Sequence, residues 1–361
     1  MSLDSALSHA DTRPAPFEDG SPSVTPTGWA YWIHAVRPVP ELVELAQRAE
    51  AQGAAALLVA DEGIDRDIYV TLAAIAVSTE RISLVPAITN PHSRHPVATA
   101  AALASLEELA PGRVMAGLGA GGNLVFSPMG IRPTRPYTAL AESVDVIGRL
   151  LAGETVSHHG EFTTEDASIG WSPGPLPLAL AGRGPRVERL GAEEADWVIL
   201  AGKAVDEVAG LVDRLRQGAG GGPSIIWNPA TAWRSEHVDE VRSHFSYMTV
   251  DLPADERREL GLSDEDIEAL RRAVHLEGPV AASRLVPDEV TNRYAIVGSR
   301  DDVIDRLAQL SHVARPELIA FSAHEYSVAF VDEVAGVAKA AGLASADELP
   351  DDHARRRRAG A

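Results

Sequence analysis

The 361-residue sequence contains no cysteine, which excludes disulfide bonds, zinc–thiolate sites and thiol nucleophiles. It also has no window approaching the roughly 20 consecutive apolar residues that a membrane-spanning helix needs. Cations are scarce: 32 Lys and Arg face 52 Asp and Glu, for a formal net charge of -20. Because such a charge repels polyanions, nucleic acid is not expected as a partner, and an anionic ligand needs a local cationic or amide-lined pocket.

Both ends of the chain differ in composition from the middle. Residues 1–28 are rich in Pro, Ser, Asp and Thr without an apolar period, which predicts a disordered leader. They lack a basic stretch followed by an apolar run, so no export signal is visible and a cytoplasmic location is expected. Residues 343–361 end in the run "RRRR", and we interpret them as a flexible C-terminal tail.

The middle of the chain alternates short apolar runs with segments of helical period. In the first such segment Leu42, Leu45, Ala46 and Ala49 form one apolar stripe, and Gly53 ends it. Continuous apolar strands separated by amphipathic helices indicate parallel pairing with both faces covered. Eight such runs predict an α/β fold with a closed (β/α)₈ barrel over residues 29–342. The runs are "WAYWIHA", "AALLVADE", "ISLVPAI", "RVMAGLGAG", "LPLALAG", "DWVILAG", "SIIWNPA" and "ELIAFSA".

Two segments interrupt the alternation. Residues 152–175 are expected to form an excursion before the fifth strand, and residues 252–298 a helical insertion after the seventh. In a (β/α)₈ barrel, binding and catalytic residues lie at the C-terminal ends of the strands. Candidate functional residues are therefore sought there.

Two glycine-containing loops favour a bound anion. "GLGAGGN", residues 117–123, follows the fourth strand, and "AGRGPRVERLG", residues 181–191, follows the fifth and opens a helix. Glycine lets backbone amides approach a phosphate, and a helix N-terminus with nearby arginines attracts one. Neighbouring strands would place the loops side by side, which predicts a phosphate site, although a tight turn alone would also explain the first loop.

Polar residues follow the first three strands. "ITNPHSRHP", residues 88–96, contains His92 and His95, but without a matched carboxylate this pair does not predict a metal site. Asp61 and Glu62 follow the second strand; alternation predicts that one faces the mouth and the other caps a helix or pairs with an arginine. His34 ends the first strand and is either a mouth residue or a core histidine. No nucleophile elbow or P-loop is present, so a bound cofactor is expected to carry the chemistry.

The motifs "ITNPHSRHP", "EELAPGRVMAGLGAGG" and "LPLALAGRGP" resemble those of the luciferase-like family of flavin- and coenzyme F420-dependent TIM-barrel oxidoreductases. The resemblance implies a ring-shaped cofactor at the strand C-termini, F420 or alternatively FMN. It implies a non-prolyl cis peptide bond at Ala87–Ile88 and contacts of Thr89 and Asn90 with the ring edge. The implied phosphate-binding residues are Gly119, Ala120, Gly121, Gly182, Arg183 and Gly184.

The sequence also departs from this family. F420-using members commonly carry a Glu in the first strand where Trp32 stands here, and an Asp-His pair where Asp61 and Glu62 stand. The proton donor is therefore reassigned to Glu62, His34 or His92. A polyglutamyl cofactor tail would need cations near the mouth, and Arg94, Arg132, Arg135 and Arg186 are the candidates.

Three functions follow from these observations. The leading hypothesis is F420-dependent hydride transfer to or from a small organic substrate. The second is an FMN-dependent monooxygenase that receives reduced flavin from a partner reductase, with the 252–298 insertion as a lid. The third is a non-catalytic flavin-binding homologue, suggested by the missing Glu. Oligomers are common in the family, so the resemblance also makes a homodimer plausible.

Overall fold

The computed structural model describes residues 26–217 and 222–350 of the chain. Most of the expected leader and the arginine run lie outside the described residues. The strands are β1 Gly28–His34, β2 Ala56–Ala60, β3 Ser83–Pro86, β4 Ala116–Gly119, β5 Val156–His159, β6 Thr163–Ala167, β7 Leu178–Ala181, β8 Trp197–Ala201, β9 Ser224–Asn228, β10 Ala230–Ala232, β11 Ala295–Val297 and β12 Leu318–Ser322.

Helices follow most of the strands. They are α1 Val39–Ala51, α2 Ile68–Ala76, α3 Pro96–Leu109, α4 Asn123–Met129, α5 Pro136–Leu151, α6 Pro185–Glu194, α7 Val208–Arg216, α8 Ser235–Val250, α9 Ala254–Glu259, α10 Asp264–Glu277, α11 Pro279–Ala282, α12 Asp288–Tyr294, α13 Arg300–Ala314 and α14 Val328–Ala340, with short 3₁₀ turns at Val205–Glu207, Ser283–Leu285 and Ala346–Glu348. Among the described residues, none of the helices is both long and apolar enough to cross a membrane.

Eight parallel strands form a barrel in the order β3-β2-β1-β12-β9-β8-β7-β4. The ring closes between β3 and β4 through two isolated parallel bridges, Leu84 to Val114 and Thr89 to Leu118. All eight predicted strands are confirmed, and so is the (β/α)₈ fold.

The strands are continuously apolar because both of their faces are buried. On β1, Trp29, Tyr31 and Ile33 pack outward against the helices, whereas Ala30 and Trp32 face the barrel interior. The stripe of α1 packs on the outside of the barrel through the four predicted residues, all buried. The alternation of β1 therefore directs His34, two residues beyond Trp32, toward the mouth.

The segment 343–350 is not part of a flexible tail, contrary to the sequence-based expectation. Leu343, Ala344 and Leu349 are buried, and Leu349 belongs to the cluster inside the barrel. The amide of Ala344 donates to the carbonyl of Thr27, just before β1. This segment therefore plugs the N-terminal end of the barrel, and residues 351–361 of the predicted tail lie outside the described residues.

Both interruptions of the alternation are additions to the barrel. The first is an antiparallel hairpin of β5 and β6, within the predicted 152–175 excursion. The second lies between β9 and α13 and comprises β10, α8 to α12 and β11, so it begins near residue 230 rather than 252. The predicted start at residue 252 is wrong, because the amphipathic α8 packs on α10 and α11 of the insertion, whereas α13 is the helix that packs beside α7 and α14.

Candidate active site

The C-terminal ends of the strands surround a mouth with an apolar floor. Trp32, Ile88 and Ala181 are partly exposed and pack on the interior cluster from above. Ile88 follows a cis peptide bond to Ala87, as the family resemblance implied. The floor therefore presents apolar side chains from β1, β7 and the segment after β3.

Glycines let β3 and β4 approach each other beneath this floor. A Cβ atom on Gly117 would lie 1.8 Å from the carbonyl oxygen of Pro86, and one on Gly119 would lie 2.5 Å from Cδ1 of Ile88. Since real Cβ atoms do not approach so closely, both positions require glycine for packing. Gly119, predicted to bind phosphate, thus has a structural role at this place.

Glu62 and His34 meet at one side of the mouth. His34 Nδ1 lies 3.6 Å from Glu62 Oε1, and their side chains are 38% and 33% exposed. Burial raises the pKa of Glu62; the neighbouring His34 opposes this rise, while the charges of Asp65 and Asp61 add to it. Glu62 therefore keeps a proton to a higher pH than an ordinary glutamate, as a proton donor near neutral pH requires.

Asp61 points to a different partner. Its Oδ2 accepts a hydrogen bond from Thr89 Oγ1 at 3.0 Å, and Thr89 Oγ1 accepts one from the Tyr69 hydroxyl at 3.2 Å. Burial raises the pKa of Asp61, although the bond from Thr89 works against it. The prediction that one of the two carboxylates caps a helix or pairs with an arginine is wrong, because Asp67 caps α2 and pairs with Arg94. The alternation argument failed because β2 ends at Ala60.

The loop after β3 is held by its own side chains. Asn90 Oδ1 accepts from the amides of His92 and Ser93, and its Nδ2 donates to Ser93 Oγ. His95 caps α3 by accepting from the amide of Val97. Since Thr89 and Asn90 are each 1% exposed, their assignment to the ring edge stays a prediction.

His92, the third candidate proton donor, lies apart from Glu62 and His34. Its ring packs edge-on against Phe126, with centroids 5.3 Å apart. Burial lowers the pKa of His92, an effect that the charge of Glu161 opposes. The structure therefore brings two of the three candidates together and leaves His92 in the neighbouring loop.

The two loops predicted to bind phosphate are adjacent, as expected, because β4 and β7 pair with Gly119 opposite Ala181. Gly122 and Gly184 are the residues preceding α4 and α6, they have no side-chain cap, and a Cβ there would meet nothing within 4 Å. Gly121 and Gly182 instead make room for Phe126 and Val187. Open backbone at Gly122 and Gly184 gives an anion access to the α6 N-terminus.

Unpaired cations flank these loops. In the part of the chain that the structure describes, Arg183 and Arg186 form no ion pair with a carboxylate, and Arg186 stacks on Tyr137 at 3.8 Å from the ring centroid. Two of the other predicted tail-binding cations are neutralised, Arg94 by Asp67 and Arg135 by Glu161. Arg132 is exposed. Of the four predicted tail-binding cations, Arg132 and Arg186 therefore remain without a carboxylate partner among the described residues.

A cavity of about 410 Å³ extends from Arg183 and Gly184 toward the insertion. It is lined by α7 and by the residues that follow α8, and it includes Arg214, which pairs with no carboxylate among the described residues. Four carboxylates line it as well, those of Glu188, Glu207, Asp251 and Glu256. Arg214 was not among the predicted residues, because the sequence alone does not show which surface a helical arginine faces.

The sequence also missed a polar cluster after β12 that joins the mouth to the insertion. The amide of His34 donates to the Tyr326 hydroxyl at 2.9 Å. His324 Nε2 contacts the carbonyl oxygen of Thr231 at 2.7 Å, and its Nδ1 contacts Glu240 Oε2 at 2.9 Å. Both partners belong to the insertion, so His324 fastens it to the barrel.

His237 stacks on His324 inside this cluster. The ring centroids are 4.7 Å apart with an interplanar angle of 17°, and His237 Nε2 lies 3.1 Å from Glu325 Oε1. His237 is 3% exposed, and its Nδ1 has no hydrogen-bond partner in the described structure. Burial and the adjacent His324 lower the pKa of His237, while Glu325 opposes this effect. His237 is thus kept neutral below the pH at which a free histidine charges.

We expect this lowered pKa to cost stability in acid. The unfolded chain binds a proton at His237 below about pH 6.5 and the folded protein does not, so the free energy of unfolding falls as pH drops below that value, by up to about 1.4 kcal/mol per pH unit. His237→Gln retains a donor for Glu325 and should show a smaller loss between pH 7 and 5.5 in urea unfolding. Between pH 7.5 and 8.5 the two stability curves should run parallel. An unchanged acid slope in the variant would contradict this account.

Known proteins resemble the chain over most of its length. Residues 18–315 match the sequence model of the luciferase-like monooxygenase family. A 5,10-methylenetetrahydromethanopterin reductase of Archaeoglobus fulgidus is 29% identical over 298 residues, covering 78% of this chain and 89% of the relative. An F420-dependent glucose-6-phosphate dehydrogenase of Rhodococcus erythropolis is 28% identical over 290 residues, covering 74% of this chain and 83% of the relative.

A solved structure shares the fold. The coenzyme F420-dependent tetrahydromethanopterin reductase of Methanopyrus kandleri superposes with a TM-score of 0.73 at 21% identity, over 86% of this chain and 97% of that one. The match of the family sequence model spans both anion-friendly loops and the Glu62–His34 side of the mouth. The chain belongs to the luciferase-like monooxygenase family.

Proposed function

We propose that this protein is an F420-dependent oxidoreductase that transfers a hydride to or from a small organic substrate. The observation that carries this proposal is the combination of two features at the mouth. The paired ends of β4 and β7 expose backbone at Gly122 and Gly184 close to the unpaired arginines Arg183 and Arg186. Beside them lies the apolar floor of Trp32, Ile88 and Ala181. A phosphate fits the first feature and a planar ring the second. The F420-dependent glucose-6-phosphate dehydrogenase of Rhodococcus erythropolis supports this proposal by its similarity to the chain.

The residues have distinct roles in this proposal. The bound ring supplies the hydride chemistry. Arg183, Arg186 and the α6 N-terminus hold the phosphate, and the floor supports the ring. Glu62 donates or accepts the proton on the substrate side, and His34 orients its carboxylate. Asp61 holds the side chain of Thr89 by a hydrogen bond and has no role toward the substrate.

We favour F420 over FMN because a similar protein is named for F420 and because the 410 Å³ cavity leaves room beyond the phosphate loops as far as Arg214. F420 carries an anionic tail beyond its phosphate, whereas FMN ends at the phosphate. Because carboxylates also line this cavity, an anionic tail that enters it would have to lie against Arg214, and the Arg214 variant below tests this contact.

Titration of the purified apoprotein with F420 and FMN tests this proposal. We expect tighter binding of F420, and Arg214→Gln should weaken it about 5- to 10-fold, the effect of about 1–1.4 kcal/mol for one charge-assisted contact, with no change for FMN. Arg272→Gln, on the exposed surface of α10, removes the same charge and should change neither affinity. If neither cofactor binds, the proposed function is wrong.

The second candidate is an FMN-dependent monooxygenase, which the name of the family favours. It predicts tighter binding of FMN than of F420 and oxygen consumption with enzymatically reduced FMN. If oxygen is not consumed and F420 is reduced or oxidised, this candidate fails.

A further inference from the structure

Helix α8 passes along the mouth with one face turned inward. Glu240, His244 and Met248 follow one another at intervals of four residues and therefore lie on the same side of the helix. Glu240 contacts His324 after β12, and a Cβ on Gly202, after β8, would lie 3.3 Å from Met248 Sδ. Since both ends of this face meet the strand exits, the residue between them, His244, must also face the mouth.

The charges that act on His244 agree with this placement on α8. They come from His34 at the end of β1, Arg183 in the loop after β7, and Glu240 one turn earlier on α8. His34 belongs to the proton-donating side of the mouth and Arg183 to the phosphate side. His244 is therefore placed between these two parts of the site.

The side chain of His244 has accessible surface, although protein atoms surround much of its ring. Its side chain is exposed, but the surrounding atoms and the positive charges of His34 and Arg183 disfavour the imidazolium, so the pKa of His244 is lowered. An exposed side chain on the outside of a helix would not experience such crowding. A side chain that lines an open pocket has both properties. Its imidazole stays neutral and is available for hydrogen bonding.

We propose that His244 is a further binding residue of this site, which contacts the bound cofactor from α8, on the side opposite the Trp32, Ile88 and Ala181 floor. This inference rests on the proposed function. A neutral imidazole suits an uncharged polar edge, such as the carbonyl oxygens and ring nitrogens of a flavin-type ring, whereas the phosphate is left to Arg183. His324 then has a role as well, because its contacts with Thr231 and Glu240 hold α8 in place above the mouth.

Protection from chemical modification tests the contact without a known substrate. Diethyl pyrocarbonate modifies neutral, accessible histidines, and peptide mass spectrometry follows each site. With F420, or with FMN if it binds tighter, at about 100 times its dissociation constant, modification of His244 should slow at least about tenfold. His312 is the matched control, since it is exposed in the last turn of α13, which leads to the opposite end of the barrel. Its rate should not change.

The outcomes separate this inference from the proposed function. If cofactor binds in the same samples but His244 is modified as fast as before, His244 does not contact it and the inference fails alone. Equal slowing at His312 would also overturn it, because the effect would not be local. If neither cofactor binds, the proposed function fails and the inference with it.

Variants give a second readout. His244→Ala should weaken cofactor binding several-fold, and His244→Gln, which keeps a donor and an acceptor, should restore most of the affinity. Equal loss in both variants would indicate a structural role for His244 and would contradict the proposed contact.

Discussion

Glu62→Gln should lower turnover about 100-fold or more while leaving cofactor affinity unchanged. A positioned general acid or base contributes about 10²- to 10⁴-fold, and glutamine keeps the shape of the side chain but cannot exchange the proton. Because burial raises the pKa of Glu62, the wild-type enzyme should lose activity in the proton-donating direction as pH rises through that value. The plot of activity against pH for the variant should lack this decline, the alkaline limb of the profile.

The measurement is the initial rate of F420 oxidation or reduction with those alcohols, ketones or sugar phosphates that the wild-type protein converts, over a range of pH. Asp65→Asn is the matched control. The charge of Asp65 helps to raise the pKa of Glu62, so its removal should move the limb to lower pH without abolishing turnover. Should Glu62→Gln keep the rate and the pH profile of the wild type, Glu62 is not the proton donor.

Gly117→Ala should destabilise the fold by about 3 kcal/mol or more, or prevent folding. The added methyl group would lie 1.8 Å from the Pro86 carbonyl oxygen, which is a backbone atom and cannot rotate away. The closure of the barrel between β3 and β4 would have to open to admit it, and such overpacking is among the most damaging single changes. The wall that carries Ile88 and Thr89 would shift with it.

Gly148→Ala provides the comparison for the same chemical change. Gly148 lies on the exposed side of α5, where a Cβ would meet nothing within 4 Å, so alanine should stabilise the protein by about 0.5–1 kcal/mol through its higher helix propensity. Urea unfolding followed by circular dichroism measures both variants. A loss below about 1 kcal/mol for Gly117→Ala would show that β3 and β4 are not packed as described.

The fold was predictable from the sequence because its signal is local and repeated. Each barrel strand is a short apolar run, and α1 carries its stripe in the spacing of Leu42, Leu45, Ala46 and Ala49. The adjacency of the two anion-friendly loops followed as well, since consecutive units of a (β/α)₈ barrel are neighbours. The start of the insertion did not follow, because amphipathic periodicity is the same in a barrel helix and in α8.

The candidate site was predictable only in part. Glu62 and His34 could be named because His34 ends β1 and Glu62 closely follows β2, and the structure brings them within 3.6 Å. His237, His244 and His324 could not be named, because their importance arises from contacts with residues far away in sequence. Asp61 was ambiguous until its bond to Thr89 separated its role from that of Glu62.

The sequence by itself determined the barrel, the side of the barrel that carries the polar residues, and the family, since these depend on periodicity and on motifs within single βα units. Only the tertiary structure decided which carboxylate is free to act, which glycines serve packing rather than binding, and which arginines keep their charge. The physical reason is that each of these properties depends on burial and on partners at short distance, which packing brings together from separate parts of the chain.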